Sequence, residues 1–143
     1  MKKSNDELIK LAKQYVEQAE QDAQVNPTSD EIQVVVVEPM KPPYKKYIPN
    51  TLESMNELVG GYIEIIRMGN TETGGNIAIT LNEEGKLMNL PMNRMIFARN
   101  GVADVFVGTF FITAFNMQGD NISLNDAECE KLIKRFKGME VYF

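Results

Sequence analysis

Residues 48–68, IPNTLESMNELVGGYIEIIRM, decide how the rest of the chain is read. The stretch spells the end of a strand, a short capped helix, a double-glycine turn and a second strand. Asn50 can cap the helix through its side-chain oxygen, and Glu53 three places on can reach back to the Asn50 amide, which together make a capping box. Leu52, Met55, Leu58 and Val59 fall on one helical face. Gly60 follows where a helix ends on a left-handed residue, a conformation that a residue without Cβ adopts at little cost. From Tyr62 to Met68 the aromatic and β-branched side chains predict a strand buried on at least one face.

Upstream, IQVVVV at residues 32–37 predicts a strand buried on both faces. Three prolines between Pro39 and Pro43 interrupt it, and extended structure resumes over residues 44–48 with Tyr44, Lys45, Lys46 and Tyr47. Lysines beside tyrosines can hold a phosphate and stack on a base; equally, they guard a solvated edge strand against aggregation. Residues 4–24 predict an amphipathic helix opened by Ser4 and Glu7, with Leu8, Leu11, Ala12, Tyr15, Ala19 and Ala23 as a thin stripe, followed by the linker QVNPTSDE. Residues 1–31 thus form an acidic leader with four Lys against seven Asp and Glu, and residues 32–143 a single domain.

Downstream, Ile77, Ile79 and Leu81 alternate with Asn76, Ala78 and Thr80 as a strand with one face inward. Asn100-Gly101 marks a two-residue hairpin between residues 95–99 and 102–107. Gly108 interrupts the following apolar run and signals a bulge, a bend or a close backbone approach. Asn125 with Glu128 forms another capping box, Leu124 and Cys129 a hydrophobic staple, and Cys129, Leu132, Ile133 and Phe136 an inner face. The elements predict an α+β fold: a mixed, mainly antiparallel sheet of five or six strands, a short inserted helix, and N- and C-terminal helices, with the helices largely on one side.

The chain has 143 residues, a net charge of −5, no histidine and one cysteine. Without imidazole, Ser/His and Cys/His nucleophilic catalysis and histidine metal sites are excluded, and a lone cysteine makes neither a disulfide nor a zinc cluster. There is no Walker loop, dinucleotide-binding glycine pattern or EF-hand loop. No window supplies the run of roughly 18 apolar residues that a membrane span needs. The expectation is a cytoplasmic protein that is not an enzyme, uses no cofactor or metal, and binds neither membrane nor DNA directly, since its body carries no basic stripe.

Val36-Val37-Glu38-Pro39 with Lys41-Pro42-Pro43-Tyr44, residues 48–53, residues 58–64, Asn82-Glu83-Glu84-Gly85-Lys86-Leu87, Leu90-Pro91 with Asn93-Arg94, and Gly108-Thr109-Phe110-Phe111-Ile112 recur in order. Together they resemble the family called domain of unknown function 3846, carried by bacteriophages, mobile elements and Gram-positive bacteria. The resemblance spans roughly residues 33–137 and brings no catalytic residue. It implies a phage or mobile-element setting, and in the host cytoplasm such small proteins often act by stoichiometric binding. The leading expectation is therefore a homo-oligomeric counter-defence protein that sequesters a small anionic, nucleotide-type ligand. Its site residues would be Arg94, Asn93, Lys45, Tyr47, Asn82, Glu84 and Thr109, polar groups placed in turns where pocket walls are made. Arg94 would clamp a phosphate or carboxylate through its planar fork, and Tyr47 or Tyr62 would stack on a base. The alternative expectation is a protein–protein inhibitor of a host defence or restriction factor, acting through its acidic surface.

Overall fold

The computed structural model describes residues 31–70, 76–98, 100–101 and 103–143. The expected leader helix and the 71–75 part of the GNTETGG turn lie outside them. The elements in order are β1 (Glu31–Val37), β2 (Tyr44–Pro49), α1 (Leu52–Val59), β3 (Ile63–Asn70), β4 (Asn76–Asn82), β5 (Met92–Phe97), β6 (Ala103–Val107), β7 (Phe110–Phe115), β8 (Asn121–Ile122), α2 (Asp126–Arg135) and β9 (Glu140–Tyr142). The fold is α+β, with mainly antiparallel strands.

Six strands make a central sheet in the order β2-β1-β7-β4-β3, with β8 paired to β7 beyond the end of β1. The valine run of β1 sits inside this sheet, and Ile32 to Val37 is buried throughout except for the small exposure left to Gln33 and Ile32. Alternation along the strands divides the core in two. Val35, Val37, Ile77, Ile79, Phe110, Ile112 and Ala114 face one way, Ile32, Val34, Val36 and Phe111 the other. On the second face α1 contributes Met55 and Val59. On the first lie Leu124 with α2, through Cys129, Leu132 and Phe136 at its C-cap, and a second sheet, through Ile96, Phe106 and Val141. The two helices therefore cover opposite faces, and the expectation of one shared side is corrected.

The second sheet has the order β6-β5-β9, with β5 and β6 antiparallel and β5 and β9 parallel. Gly108 is where the chain leaves it for the central sheet. Its φ of 71° suits glycine, its N–H donates to Pro91 O at 2.7 Å, and a Cβ there would stand 2.7 Å from Leu90 Cδ1. The β5–β6 ladder ends at Phe97 and Ala103, so the connection is longer than the two residues expected; Gly101, at φ 86°, donates to Ala98 O.

Helix α1 differs from expectation by one residue at its start. Thr51, extended at φ −133° and ψ 152°, is the cap, and its Oγ1 accepts from Ser54 N at 3.1 Å. The Asn50 side chain is instead turned to Asn121 O on β8. Leu52 stays exposed, leaving Met55 and Val59 as the buried contact. Gly60 ends the helix at φ 81°. The capping box of α2 is complete: Asn125 Oδ1 accepts from Glu128 N at 2.7 Å and Glu128 Oε1 accepts from Asn125 N at 2.9 Å.

Candidate functional site

A bulge in β5 explains why two adjacent polar residues are both buried. Met92 pairs with Val107 and Arg94 with Phe106, so Asn93 is the extra residue and both it and Arg94 turn inward. Asn93 Nδ2 donates to Val37 O at 2.9 Å and Gly108 O at 2.7 Å, which pins β1 to the junction between the sheets. Its Oδ1 accepts from Arg94 Nη1 at 2.8 Å.

Arg94 is 2% exposed. Its Nε donates to Phe136 O, Nη1 to Asn93 O as well as Oδ1, and Nη2 to Lys41 O, so four of its five N–H groups have partners among the described residues. Among the described residues no carboxylate pairs with it; burial pushes its pKa below the usual arginine value, and the charge rests on carbonyls that include the C-cap of α2, where the helix dipole is negative. The side chain is a strut tying β5, the end of α2 and the 38–43 loop together, and its fork is engaged rather than offered.

The other expected site residues are scattered. Asn82 is buried; its Nδ2 donates to Val59 O at 3.2 Å and its Oδ1 accepts from Glu84 N at 2.8 Å, so it joins the end of α1 to the turn after β4. Glu84 is exposed in that turn, and Thr109 is half-buried between β6 and β7. Lys45 lies on the edge strand β2 and pairs with Asp126 at 3.2 Å. Tyr47, on the same strand, is exposed, while Tyr62 precedes β3 and is exposed on the far side of α1 from β2 in sequence. Asn93 and Arg94 are in contact, as are Asn82 and the Glu84 backbone, but the seven residues do not line one recess.

Among the described residues two recesses stand out, and Asn82 and Glu84 of the expected set line the first of them. A cleft of about 300 Å³ runs between the turn after β4 and strand β6. Its rim carries Glu64, Glu83, Glu84 and Asp104, the last paired with Lys86 at 2.7 Å, and its floor is apolar, with Ile66, Leu81 and Phe106. The second is a more open groove of about 600 Å³ between α2 and β9, lined by Lys131, Lys134, Arg135, Glu140 and Tyr142.

The groove is built by opposed periodicities. Cys129, Leu132 and Phe136 take α2 into the core, which turns Lys131, Lys134 and Arg135 to the polar side. On β9, Val141 points into the core and Glu140 and Tyr142 point away. Arg135 Nη1 donates to Tyr142 O at 2.8 Å, and its guanidinium lies 4.8 Å from the centre of the Phe143 ring. Tyr142 stacks on Phe97, its cross-strand partner, with ring centres 4.8 Å apart and planes 13° from parallel. Tyr142 lies on the edge strand β9, and its exposed side chain is among those that line the groove. The Tyr142 hydroxyl donates to Glu140 Oε1 at 2.8 Å, a bond that raises its pKa and keeps it protonated.

None of these five residues stood out in the sequence. The 131/134/135 spacing was a usable sign of a basic helical face, but only the parallel β5–β9 pairing brings Tyr142 beside it. Among the described residues no group of His, Cys, Asp or Glu is arranged to hold a metal ion, and no helix is long and apolar enough to cross a membrane.

A two-sheet α+β core with one basic, aromatic-walled groove and one acid-rimmed cleft defines the class. The chain belongs to the family described as Domain of unknown function (DUF3846), whose family model matches residues 32–137. No curated protein and no solved structure matches it.

Proposed function

We propose that the protein is a non-enzymatic binding module that captures a small phosphate-bearing anion of nucleotide type, and that the groove between α2 and β9 is where it does so. The observation that carries this reading is the exposed Tyr142 ring, stacked on Phe97 and lining the same recess as Lys131, Lys134 and Arg135. An aromatic face offers a base a stacking partner, and neighbouring ammonium groups offer a phosphate its charge. The simpler role of Lys134 and Arg135, complementing the C-terminal dipole of α2, is compatible with this use. The reading extends to a counter-defence role in a phage or mobile-element setting, a host-cytoplasmic location and self-association, for which the exposed Leu52, Tyr62 and Leu87 are available.

Calorimetric titration with mononucleotides, cyclic nucleotides, ADP-ribose and inorganic phosphate tests the ligand. Binding in the micromolar to millimolar range is expected, weakened at least tenfold by the Lys131→Glu/Lys134→Glu double substitution and by raised salt. Silence from folded protein across the whole panel overturns the reading.

A second reading, inhibition of a host defence or restriction protein through an acidic surface, is favoured by the cleft whose rim carries Glu64, Glu83 and Glu84 over an apolar floor. A partner bound by the wild-type protein and lost on Glu83→Lys/Glu84→Lys, with nucleotide binding unchanged, would select it.

A further inference from the structure

Glu140 is a carboxylate inside a groove otherwise lined by cations and an aromatic ring. For a site that took phosphate alone, an acid there would oppose the ligand. Its position indicates another use. Tyr142 O–H donates to Glu140 Oε1 at 2.8 Å, which holds the carboxylate at the rim of the ring on which a base would lie. Glu140 and Tyr142 are two apart on β9, so their side chains leave the same face of the strand. A carboxylate has about four acceptor positions, and the tyrosine occupies one. The rest remain for donors on the edge of a stacked base, and hydrogen bonds to that edge combined with stacking are how single bases are told apart.

Resting on the nucleotide reading above, we infer that the groove selects guanine nucleotides, with Glu140 as the specificity-determining residue. Guanine alone among the common bases presents two adjacent donors, the ring N1–H and the exocyclic amino group, and these match the two oxygens of one carboxylate. Adenine presents its amino group beside a ring acceptor, and that acceptor would face a carboxylate oxygen. Uracil offers one donor flanked by carbonyls. Lys131 and Lys134 then meet the phosphate, across the groove from the acid. A site built to bond a donor pair discriminates strongly against ligands lacking it, because its acceptor is left unpaired.

The test is a matched titration of wild-type protein and Glu140→Gln with GMP, AMP, UMP and inorganic phosphate. GMP is expected to bind at least tenfold more tightly than AMP or UMP. Glu140→Gln, whose exposed side chain leaves the Phe97–Tyr142 stack in place, is expected to bring GMP down to the AMP level while phosphate binding is unchanged or slightly tighter. Equal binding of all three nucleotides by the wild-type protein overturns the inference and leaves the nucleotide reading standing. A guanine preference that survives Glu140→Gln overturns the role of Glu140. No binding of any nucleotide removes both.

Discussion

Arg94 Nε donates to the carbonyl of Phe136 at 2.9 Å, joining a bulged strand to the C-cap of a helix 42 residues further along the chain. The same guanidinium reaches Lys41 O at 2.9 Å, so one side chain fastens the 38–43 loop, β5 and α2. This gives the residue a structural duty, and the duty can be separated from ligand binding.

Arg94→Lys should destabilise the protein by about 2–4 kcal/mol, because an ammonium cannot span three carbonyl sites and leaves buried acceptors unpaired. Urea unfolding followed by circular dichroism measures the loss. Nucleotide affinity, titrated at a temperature where the variant is folded, should remain within about twofold, since Arg94 does not line the groove.

Gly108→Ala should cost about 1–3 kcal/mol, combining a left-handed backbone at φ 71° with a Cβ placed 2.7 Å from Leu90 Cδ1. Adding Leu90→Ala removes the clash and leaves the backbone cost. The double variant should therefore recover less than its thermodynamic cycle would give if sterics alone were responsible. Full recovery would show that φ contributes nothing.

Asn125→Ala should lower stability by about 1 kcal/mol, since it strips the side-chain acceptor from Glu128 N, while the bond from the residue 125 backbone N–H to Glu128 Oε1 can persist. Asn125→Ser should stay within a few tenths of the wild type. The two denaturation midpoints compare directly.

Stability should fall in alkali through Tyr44. Partial burial, reinforced by a hydrogen bond to Glu38, pushes the Tyr44 hydroxyl up from 10.0 to about 12. A tyrosine whose folded pKa lies above its unfolded value adds stability that is whole below pH 10 and disappears as pH climbs toward 12. Tyr44→Phe should thus narrow its deficit relative to wild type over that interval, in parallel urea titrations. Glu38 behaves oppositely: the same bond holds its carboxyl below the ordinary range, so its contribution is present above that range and lost in acid. Burial pushes the Cys129 thiol up to about 11, and its loss of stability in alkali is the same in the wild type and in Tyr44→Phe.

The expected site shows where legibility stopped. Asn82 ends β4 at a chain reversal, but Asn93 and Arg94 lie within strand β5 and not in the turn expected of them, and buried polar residues in either setting wall a pocket or close backbone. Here Asn93 and Arg94 close backbone because a single extra residue in β5 turns them both inward. A bulge is set by the strand opposite it, and no window around residue 93 contains that strand. The one-residue error at Thr51 has the same origin: Asn50 was an adequate cap by itself, and Asn121, distant in sequence, competes for its side chain.

By itself the sequence determined whatever is settled within a few residues of backbone: the doubly buried valine strand, the left-handed stop at Gly60, the capping box at Asn125 and Glu128, and hence the α+β class. Tertiary structure alone decided what depends on partners far along the chain. It divided the strands into two sheets at Gly108, sent α1 and α2 to opposite faces, buried Arg94, and set Tyr142 beside Lys131 and Lys134. Local hydrogen bonds and side-chain alternation act through neighbours the sequence shows. Sheet order and register are chosen by which distant surfaces exclude the most water together, and a linear reading does not contain that comparison.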